Sequence, residues 1–322
     1  MVCLLEIIIM KILITGGAGY IGGALTDLLK NSKHSIKVYD SLLYEESYRK
    51  DVEFVFGDIR DKNKLAKYLK WADVVVWLAA LVGDGACALN PDVALDVNEK
   101  SIKWLSKNFP GRIIFTSTCS VYGAKDKELN ELSPTNPLSV YASSKLSAEE
   151  HLEHKNALIF RLGTLFGVGD RFSRIRLDLV VNTLTVRAYK DKVLKVFGGN
   201  QYRPLLHVKD SARAIFENLN TRYTGIFNLN RENIKILDLA QRIKKHIPHV
   251  KIITQKMQFE DSRNYRADNK KAEKILNFKA KYTIDHGIEE LKKLIEENRI
   301  VNVNNVRYGN QSFLYEQRRI KN

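Results

Sequence analysis

Cysteine is scarce. The 322 residues hold three, at positions 3, 87 and 119. An odd number so widely spaced implies no disulfide framework and suits a reducing cytoplasm. Proline is also rare, with six, and no Pro-rich, Gly/Ser-rich or repeated stretch marks a linker. A chain this long buries a core easily and holds one or two domains. No apolar run is long enough to cross a membrane. Met1 to Ile9 is apolar apart from Glu6, but it is too short to span and lacks a basic start or a cleavage site. Met10 directly precedes the first apolar strand, so either the biological start lies there or the preceding residues lengthen that strand. The histidines form no metal constellation: His151 and His154 fall on an expected helix without further ligands, and no metal is expected. Acidic residues are outnumbered, 37 against 52 basic ones, for a formal charge of +15. Such an excess raises nucleic-acid binding as an alternative. The basic residues are scattered, however, and clusters such as Lys244-Lys245 and Arg318-Arg319 sit on helical or terminal stretches that read as solvated faces. Neither nucleic acid nor membrane is expected as a partner, and a small anionic ligand is use enough for part of the charge.

What is present is ordered along the chain. Lys11 to Thr15 is a short apolar run, followed by Gly16-Gly17-Ala18-Gly19-Tyr20-Ile21-Gly22 and then the periodic Ala24, Leu25, Leu28 and Leu29. That reads as strand, tight turn and helix. Glycines at 16, 19 and 22 let backbone approach a pyrophosphate set against the positive end of the helix. The next apolar run, Ile36 to Tyr39, ends in Asp40, placed to accept from an adenosine ribose 2′-hydroxyl. Its charge repels a 2′-phosphate, so the expected cofactor is NAD rather than NADP. Gly57-Asp58-Ile59 ends a third strand where it meets the adenine. Val74 to Leu78 is a fourth run, ending in Ala79-Ala80, whose small side chains leave room for the dinucleotide.

Tyr141-Ala142-Ser143-Ser144-Lys145, with Ser117-Thr118-Cys119-Ser120-Val121-Tyr122-Gly123 upstream, carries the chemistry. On a helix Tyr141 and Lys145 fall one turn apart on the same face. Free tyrosine titrates near ~10, so a base useful at neutral pH needs roughly 4 kcal/mol of preferential phenolate stabilisation. One desolvated lysine plus a cationic nicotinamide ring is a source of that size.

In these motifs, and in their order, the chain resembles the extended short-chain dehydrogenase/reductase superfamily, in its branch of NAD-dependent nucleotide-sugar epimerases and dehydratases. The resemblance spans nearly the whole chain. It implies that Thr118 orients a sugar hydroxyl or keto oxygen, that Tyr141 is the acid/base, and that Lys145 binds the nicotinamide ribose while tuning the tyrosine. Asn98 matches a family asparagine in the helix flanking the cofactor. The cofactor set is then Gly16, Gly19, Tyr20, Ile21, Gly22, Asp40, Asp58, Ile59, Leu78, Ala79, Ala80, Asn98, Tyr141 and Lys145. Arg203, in Arg203-Pro204-Leu205-Leu206-His207, is similar to the family arginine on the nucleotide diphosphate, and Arg263 to its partner; two planar forks suit a pyrophosphate. Thr164 ends a strand over the substrate, at a position where many relatives carry asparagine. Asn182 lies in the segment that covers the substrate in relatives. A homodimer, cytoplasmic, is expected on the same ground.

Departures narrow the reaction. The family's 4,6-dehydratases place Asp and Glu after the catalytic threonine, and this chain has Cys119 and Ser120, so elimination lacks its carboxyl pair. The expected reaction is oxidation and re-reduction at sugar C4. The alternative is a net C4 dehydrogenase or ketoreductase, for which Arg176 to Lys192 resembles relatives acting on nucleotide-activated heptoses. A non-catalytic NAD sensor on the same fold is a further alternative, although such proteins often lose the tyrosine or lysine kept here.

The expected fold is α/β: a Rossmann-type doubly wound parallel sheet with a smaller, interleaved α/β substrate-binding part. The expected division is 1–165 for NAD, with 204–232 returning to it, and 166–203 with 233–322 for substrate. Helices are expected at Ile236 to Ile247, Lys270 to Leu276 and Ile284 to Glu297.

Overall fold

The computed structural model describes residues 9–172, 174–256 and 264–321. Its strands run β1 Lys11–Thr15, β2 Ser35–Asp40, β3 Glu53–Phe56, β4 Val74–Trp77, β5 Arg112–Thr118, β6 Glu128–Leu129 and β7 Ala157–Leu162. They continue with β8 Thr164–Phe166, β9 Val193–Phe197, β10 Tyr202–His207, β11 Gly225–Leu229, β12 Glu232–Lys235, β13 Lys251–Gln255 and β14 Arg266–Ala267. The helices are α1 Tyr20–Leu29, α2 Lys62–Leu69, α3 Asp84–Leu89, α4 Pro91–Leu95, α5 Ser101–Asn108 and α6 Val140–Glu150. After them come α7 Val180–Asp191, α8 Val208–Glu217, α9 Ile236–His246, α10 Lys270–Leu276, α11 Ile284–Glu296 and α12 Asn310–Lys321.

Among the described residues, seven strands form one sheet in the order β11-β7-β5-β4-β1-β2-β3, every neighbouring pair parallel. A parallel sheet is covered on both faces, which is why β4 and β5 are buried along their whole lengths. Side chains alternate between faces. Ile12 and Ile14 of β1 pack with Leu25 of α1 and Ile215 of α8, while Leu13 between them packs with Ile102 and Leu105 of α5 and Ala148 of α6. The chain leaves β1 toward β2 on one side and resumes at β4 on the other. The crevice beyond the carboxyl ends of β1 and β4 is therefore the topological switch point, where ligands bind in open α/β sheets.

The smaller elements build a second apolar cluster, in which Val181 and Ala188 of α7, Leu239 and Ile243 of α9 and Ile284 and Ile288 of α11 meet β9 and β10. The sheet is revisited late: β11 joins its edge beside β7, and α8 lies against α1. One expectation needs correction. His151 and His154 do not lie on a helix, because α6 closes at Glu150 and His151 is already its C-cap. The first strand begins at Lys11 behind a buried Met10, and the residues before Ile9 lie outside the described part. No helix among the described residues is long and apolar enough to cross a membrane.

Candidate active site

The glycine turn is shaped by close approach. Gly16 has φ +74°, and a Cβ there would fall 2.5 Å from the backbone nitrogen of Ala79. Only glycine lets the end of β1 pass the end of β4 in that way. At Gly22 a Cβ would fall 2.5 Å from Gly17 Cα, so α1 starts directly on the turn. Gly19 is the N-cap of α1; no side chain caps it and no acidic residue occupies the first turn. The helix thus presents free N–H groups and its positive end to the crevice. A dinucleotide's diphosphate fits this cradle.

Asp40 sits at the carboxyl end of β2. Ala18 N donates to its Oδ2 at 3.0 Å and Leu42 N to its Oδ1 at 2.8 Å. Its first task is to brace the glycine turn, and each oxygen keeps acceptor capacity for a ribose hydroxyl. Burial pushes its carboxyl upward against those hydrogen bonds. Tyr20 buries its ring and donates from its hydroxyl to Gly167 O at 2.5 Å, while Ile21 packs on the core. Leu78, Ala79 and Ala80 are half-buried beyond β4. Ile59 is in the core. Asp58 is gripped by Arg60, whose guanidinium donates to it at 2.6 to 3.1 Å and holds its carboxyl below the usual range.

On the other side of the crevice, α6 is fixed at its first turn. Ser139 accepts from Ala142 N at 3.1 Å and donates to Asp84 Oδ1 at 2.7 Å, tying the N-terminus of α6 to α3. Tyr141 follows two residues later, half-buried in an apolar cluster with Leu81, Cys87, Ala94, Val97, Val140 and Leu314. Lys145 lies one turn on, buried, with its ammonium 4.0 Å from the ring centroid of Phe115. Thr118 ends β5, and its Oγ1 accepts from Ser120 N at 3.1 Å. Asn98 stands in a π-helical turn, Asp96–Lys100. Its Oδ1 accepts from Leu81 N at 2.8 Å, and its Nδ2 donates to Leu81 O at 2.9 Å and to Ser144 Oγ at 3.2 Å. Its amide is thus committed to the loop after β4 and to the helix turn between Tyr141 and Lys145.

The electrostatics depart from the simple picture of a lysine lowering a tyrosine. Burial pushes the Tyr141 phenol well above its ordinary value, with Cys87 and Asp84 adding to the rise and Arg176 opposing it. Burial also lowers Lys145 to about 7, against an upward pull from Glu149. Desolvation dominates both groups, favouring the neutral phenol and the neutral amine. Behind Lys145, Glu149 forms a buried ion pair with Arg161 at 2.6 Å and accepts from Ser117 Oγ. Arg161 donates onward to Tyr122 at 3.0 Å, and Tyr122 to Asn228 at 2.8 Å. Cys119 is fully buried, donates to Arg161 O at 3.2 Å, and is pushed by burial far above the ordinary thiol range. It is an inert core thiol.

The expected substrate residues are dispersed. Thr164 opens β8, half-buried. Asn182 is buried and spends its amide on structure: its Oδ1 accepts from Gly167 N at 2.9 Å, and its Nδ2 donates to Gly167 O at 3.2 Å and to Arg176 O at 2.8 Å. Its role is to fix the segment bearing Arg176. Arg203 is buried on β10 and donates to Tyr202 O at 2.8 Å. Arg263 lies outside the described residues. Several residues were not singled out by the sequence. Arg174 stacks 4.0 Å over the Tyr44 ring and donates to Asn310 Oδ1, and Arg176 pairs with Asp178 at 2.6 Å. Their partners lie more than a hundred residues away or on irregular segments, where no periodicity points to them. Glu149 was detectable, four residues beyond Lys145 on the same helix face.

The family described as the NAD dependent epimerase/dehydratase family matches residues 12–229. A putative UDP-glucose 4-epimerase of Methanocaldococcus jannaschii is 31% identical over 230 residues, covering 65% of this chain and 73% of that protein. A UDP-glucuronate 4-epimerase of Thermodesulfobacterium geofontis is 26% identical and covers 89% of this chain and 96% of its own. Among solved structures, the UDP-glucose 4-epimerase of Thermotoga maritima with UDP-glucose superposes with a TM-score of 0.80 at 21% identity, covering 90% and 100%. The dTDP-glucose 4,6-dehydratase of Streptomyces venezuelae with NAD bound gives 0.78 at 23%, covering 90% and 98%. A glycine cradle at the switch point, a tyrosine and lysine one helical turn apart beside it, and a match over two thirds of the sequence lead to one place: the chain belongs to the NAD-dependent epimerase/dehydratase family of nucleotide-sugar enzymes.

Proposed function

We propose that the protein is an NAD-dependent nucleotide-sugar epimerase that inverts C4 by oxidation and re-reduction. The observation carrying this reading is that Tyr141 and Lys145 lie one turn apart on α6, which packs against β5, the strand that Thr118 ends, with no carboxylate after Thr118: the next two residues are a buried thiol, Cys119, and Ser120, whose hydroxyl shares a 3.1 Å hydrogen bond with Tyr265. A 4,6-dehydratase needs an acid and a base at that place. In this reading NAD, when bound, accepts the hydride from the sugar carbon and returns it. Gly16, Gly19 and Gly22 cradle its diphosphate; Asp40 holds the adenosine ribose, with Asp58 and Ile59 at the adenine side; Leu78, Ala79 and Ala80 give it room. Tyr141, once deprotonated, would take the C4 hydroxyl proton and give it back, Thr118 would orient the oxygen, and Lys145, protonated, would grip the nicotinamide ribose and supply the positive charge that favours the phenolate. Arg203, with Arg263, holds the sugar nucleotide's diphosphate.

The sugar pocket then lies between the portion formed by 1–165 and 204–232 and the portion formed by 166–203 and 233–322. A cytoplasmic homodimer belongs to the same proposal; the free buried thiols Cys87 and Cys119 suit that compartment. The test is incubation with NAD and a panel of UDP-, GDP-, dTDP- and CDP-sugars, with NADH followed by absorbance and stereochemistry by NMR. Inverted sugar without accumulated NADH supports the epimerase. Accumulated NADH with a keto-sugar replaces it with the dehydrogenase reading, and NAD binding without turnover replaces it with a sensor.

A further inference from the structure

Helix α12 lies beyond the stretch matched by the family, which ends at Leu229, yet it packs against the same apolar cluster as Tyr141. Asn310, Phe313 and Leu314 share one face by helical spacing, and that face is turned inward while Gln311, Ser312 and Tyr315 are exposed. Leu314 enters the apolar cluster that holds Tyr141 and Leu81. Phe313 meets Tyr44, four residues past Asp40, with ring centroids 5.3 Å apart. One short helix therefore shares an apolar cluster with Tyr141 and sets a ring against Tyr44, near Asp40.

Asn310 seats it. This residue is 4% exposed and commits every polar group it has. Its Nδ2 donates to Val82 O at 2.8 Å, in the loop after β4, and its backbone N donates to Asp178 Oδ2 at 2.9 Å. Its Oδ1 accepts from Arg174. A primary amide can donate to one bank and accept from the other at once. Behind it, Asp178 holds Arg176, and Leu177 N donates to Tyr308 O at 2.9 Å. Around the same junction the Tyr44 hydroxyl and Arg174 Nε are buried without hydrogen-bond partners among the described residues. Buried donors left so are costly unless a ligand completes them.

We propose that α12 is a clasp over the dinucleotide crevice and that Asn310 is the positioning residue that closes it, with the Arg174 guanidinium and the Tyr44 hydroxyl turned toward the cofactor's diphosphate and ribose. A helix held by Phe313, Leu314, the Asn310 junction and an exposed Arg318–Leu89 hydrogen bond opens at lower cost than the core, so it admits the cofactor and then slows its escape. This rests on the NAD-binding reading but not on the identity of the sugar. Retention of the cofactor between the two hydride transfers is what an epimerase requires of its site.

The test measures the release rate of NADH by its fluorescence, in the full-length chain without any sugar nucleotide. A Cβ built on Gly85 of α3 would overlap the carboxamide of Gln311, which makes Gly85→Cys with Gln311→Cys a reversible cross-link across the clasp, verified by mass spectrometry. Loaded with NADH and then oxidised, this variant is expected to release it at least tenfold more slowly than after reduction. Asn310→Ala and Leu314→Ala are expected to release it severalfold faster, with the unfolding midpoint of the cofactor-free chain little changed. Equal release from the oxidised and reduced forms overturns the clasp. So does faster release that only follows a matching loss of stability, or failure to bind NADH at all. NADH retained normally by a chain that turns over no sugar nucleotide overturns the epimerase reading and leaves the clasp standing or falling on the cross-link.

Discussion

The Lys145 ammonium stands 4.0 Å from the ring centroid of Phe115, buried, and no carboxylate lies within ion-pairing distance of it among the described residues. The Glu149 carboxylate, one turn along α6, is spent on Arg161 and Ser117 instead. A cation placed against a ring face is stabilised, though not by enough to replace its lost hydration. That leaves Lys145 at about 7 in the cofactor-free chain.

A sign follows for the cofactor. If, as proposed, ribose hydroxyls accept from Lys145, they favour its protonated form and binding raises its pKa. Below pH 7 the amine is already protonated and binding takes up little. Above pH 7 it must gain a proton, and affinity falls as pH rises until the pKa of the complex is reached. Calorimetry of NAD binding in buffers of different ionisation enthalpy is expected to give uptake approaching one proton near pH 8 and close to none at pH 6. Lys145→Met is expected to abolish the difference.

Removing the hydroxyl of Tyr141 tests the chemistry directly. Tyr141→Phe keeps the ring in its cluster with Leu81 and Val140 and deletes only the proposed proton carrier. Turnover is expected to fall by ~10²-fold or more, with NAD affinity nearly unchanged. Unchanged turnover would place the acid/base elsewhere.

The glycine turn gives a prediction of the opposite kind. Gly22→Ala puts a Cβ 2.5 Å from Gly17 Cα, backbone against backbone, so the turn must widen. Cofactor affinity is expected to drop by an order of magnitude or more while the chain stays folded. Equilibrium dialysis with NAD reads the first and circular dichroism the second.

Glu149 and Arg161 are each 3% exposed. Glu149→Ala strands a guanidinium in the core and is expected to cost about 3–5 kcal/mol in urea unfolding. Adding Arg161→Met to that variant is expected to recover most of the loss, because the uncompensated charge goes with it. If the double variant is no more stable than the single one, the cost lies in packing rather than charge.

The strands and the glycine turn were legible because their causes are local. Lys11–Thr15 with Gly16 to Gly22, and Ser35–Asp40 ending in an acid, carry their geometry in a few adjacent residues. The Tyr141–Lys145 pair was legible for the same reason, since helical spacing alone aligns it. The sign of its electrostatics was not, because burial by α3, β5 and α12 comes from residues distant in sequence. Asn98 and Asn182 were picked out by position, but only the folded chain reveals that their amides hold Leu81 and Gly167. Asn310 left no trace in the sequence: its partners at 82, 174 and 178 meet only once the chain has folded.

The π-helical turn at Asp96–Lys100 sets the phase between two helices. Each residue of an α-helix advances the chain by about 100°, and the wider turn inserts one extra residue between α4 and α5. Amphipathic patterns counted forward from Pro91 and backward from Asn108 therefore disagree by one position, and Asn98 falls where they disagree. Deleting one residue here would give a smoother helix that turns this amide roughly a quarter-circle away from Leu81. The least regular turn of that segment is thus the index mark that keeps the loop after β4 in register with α6.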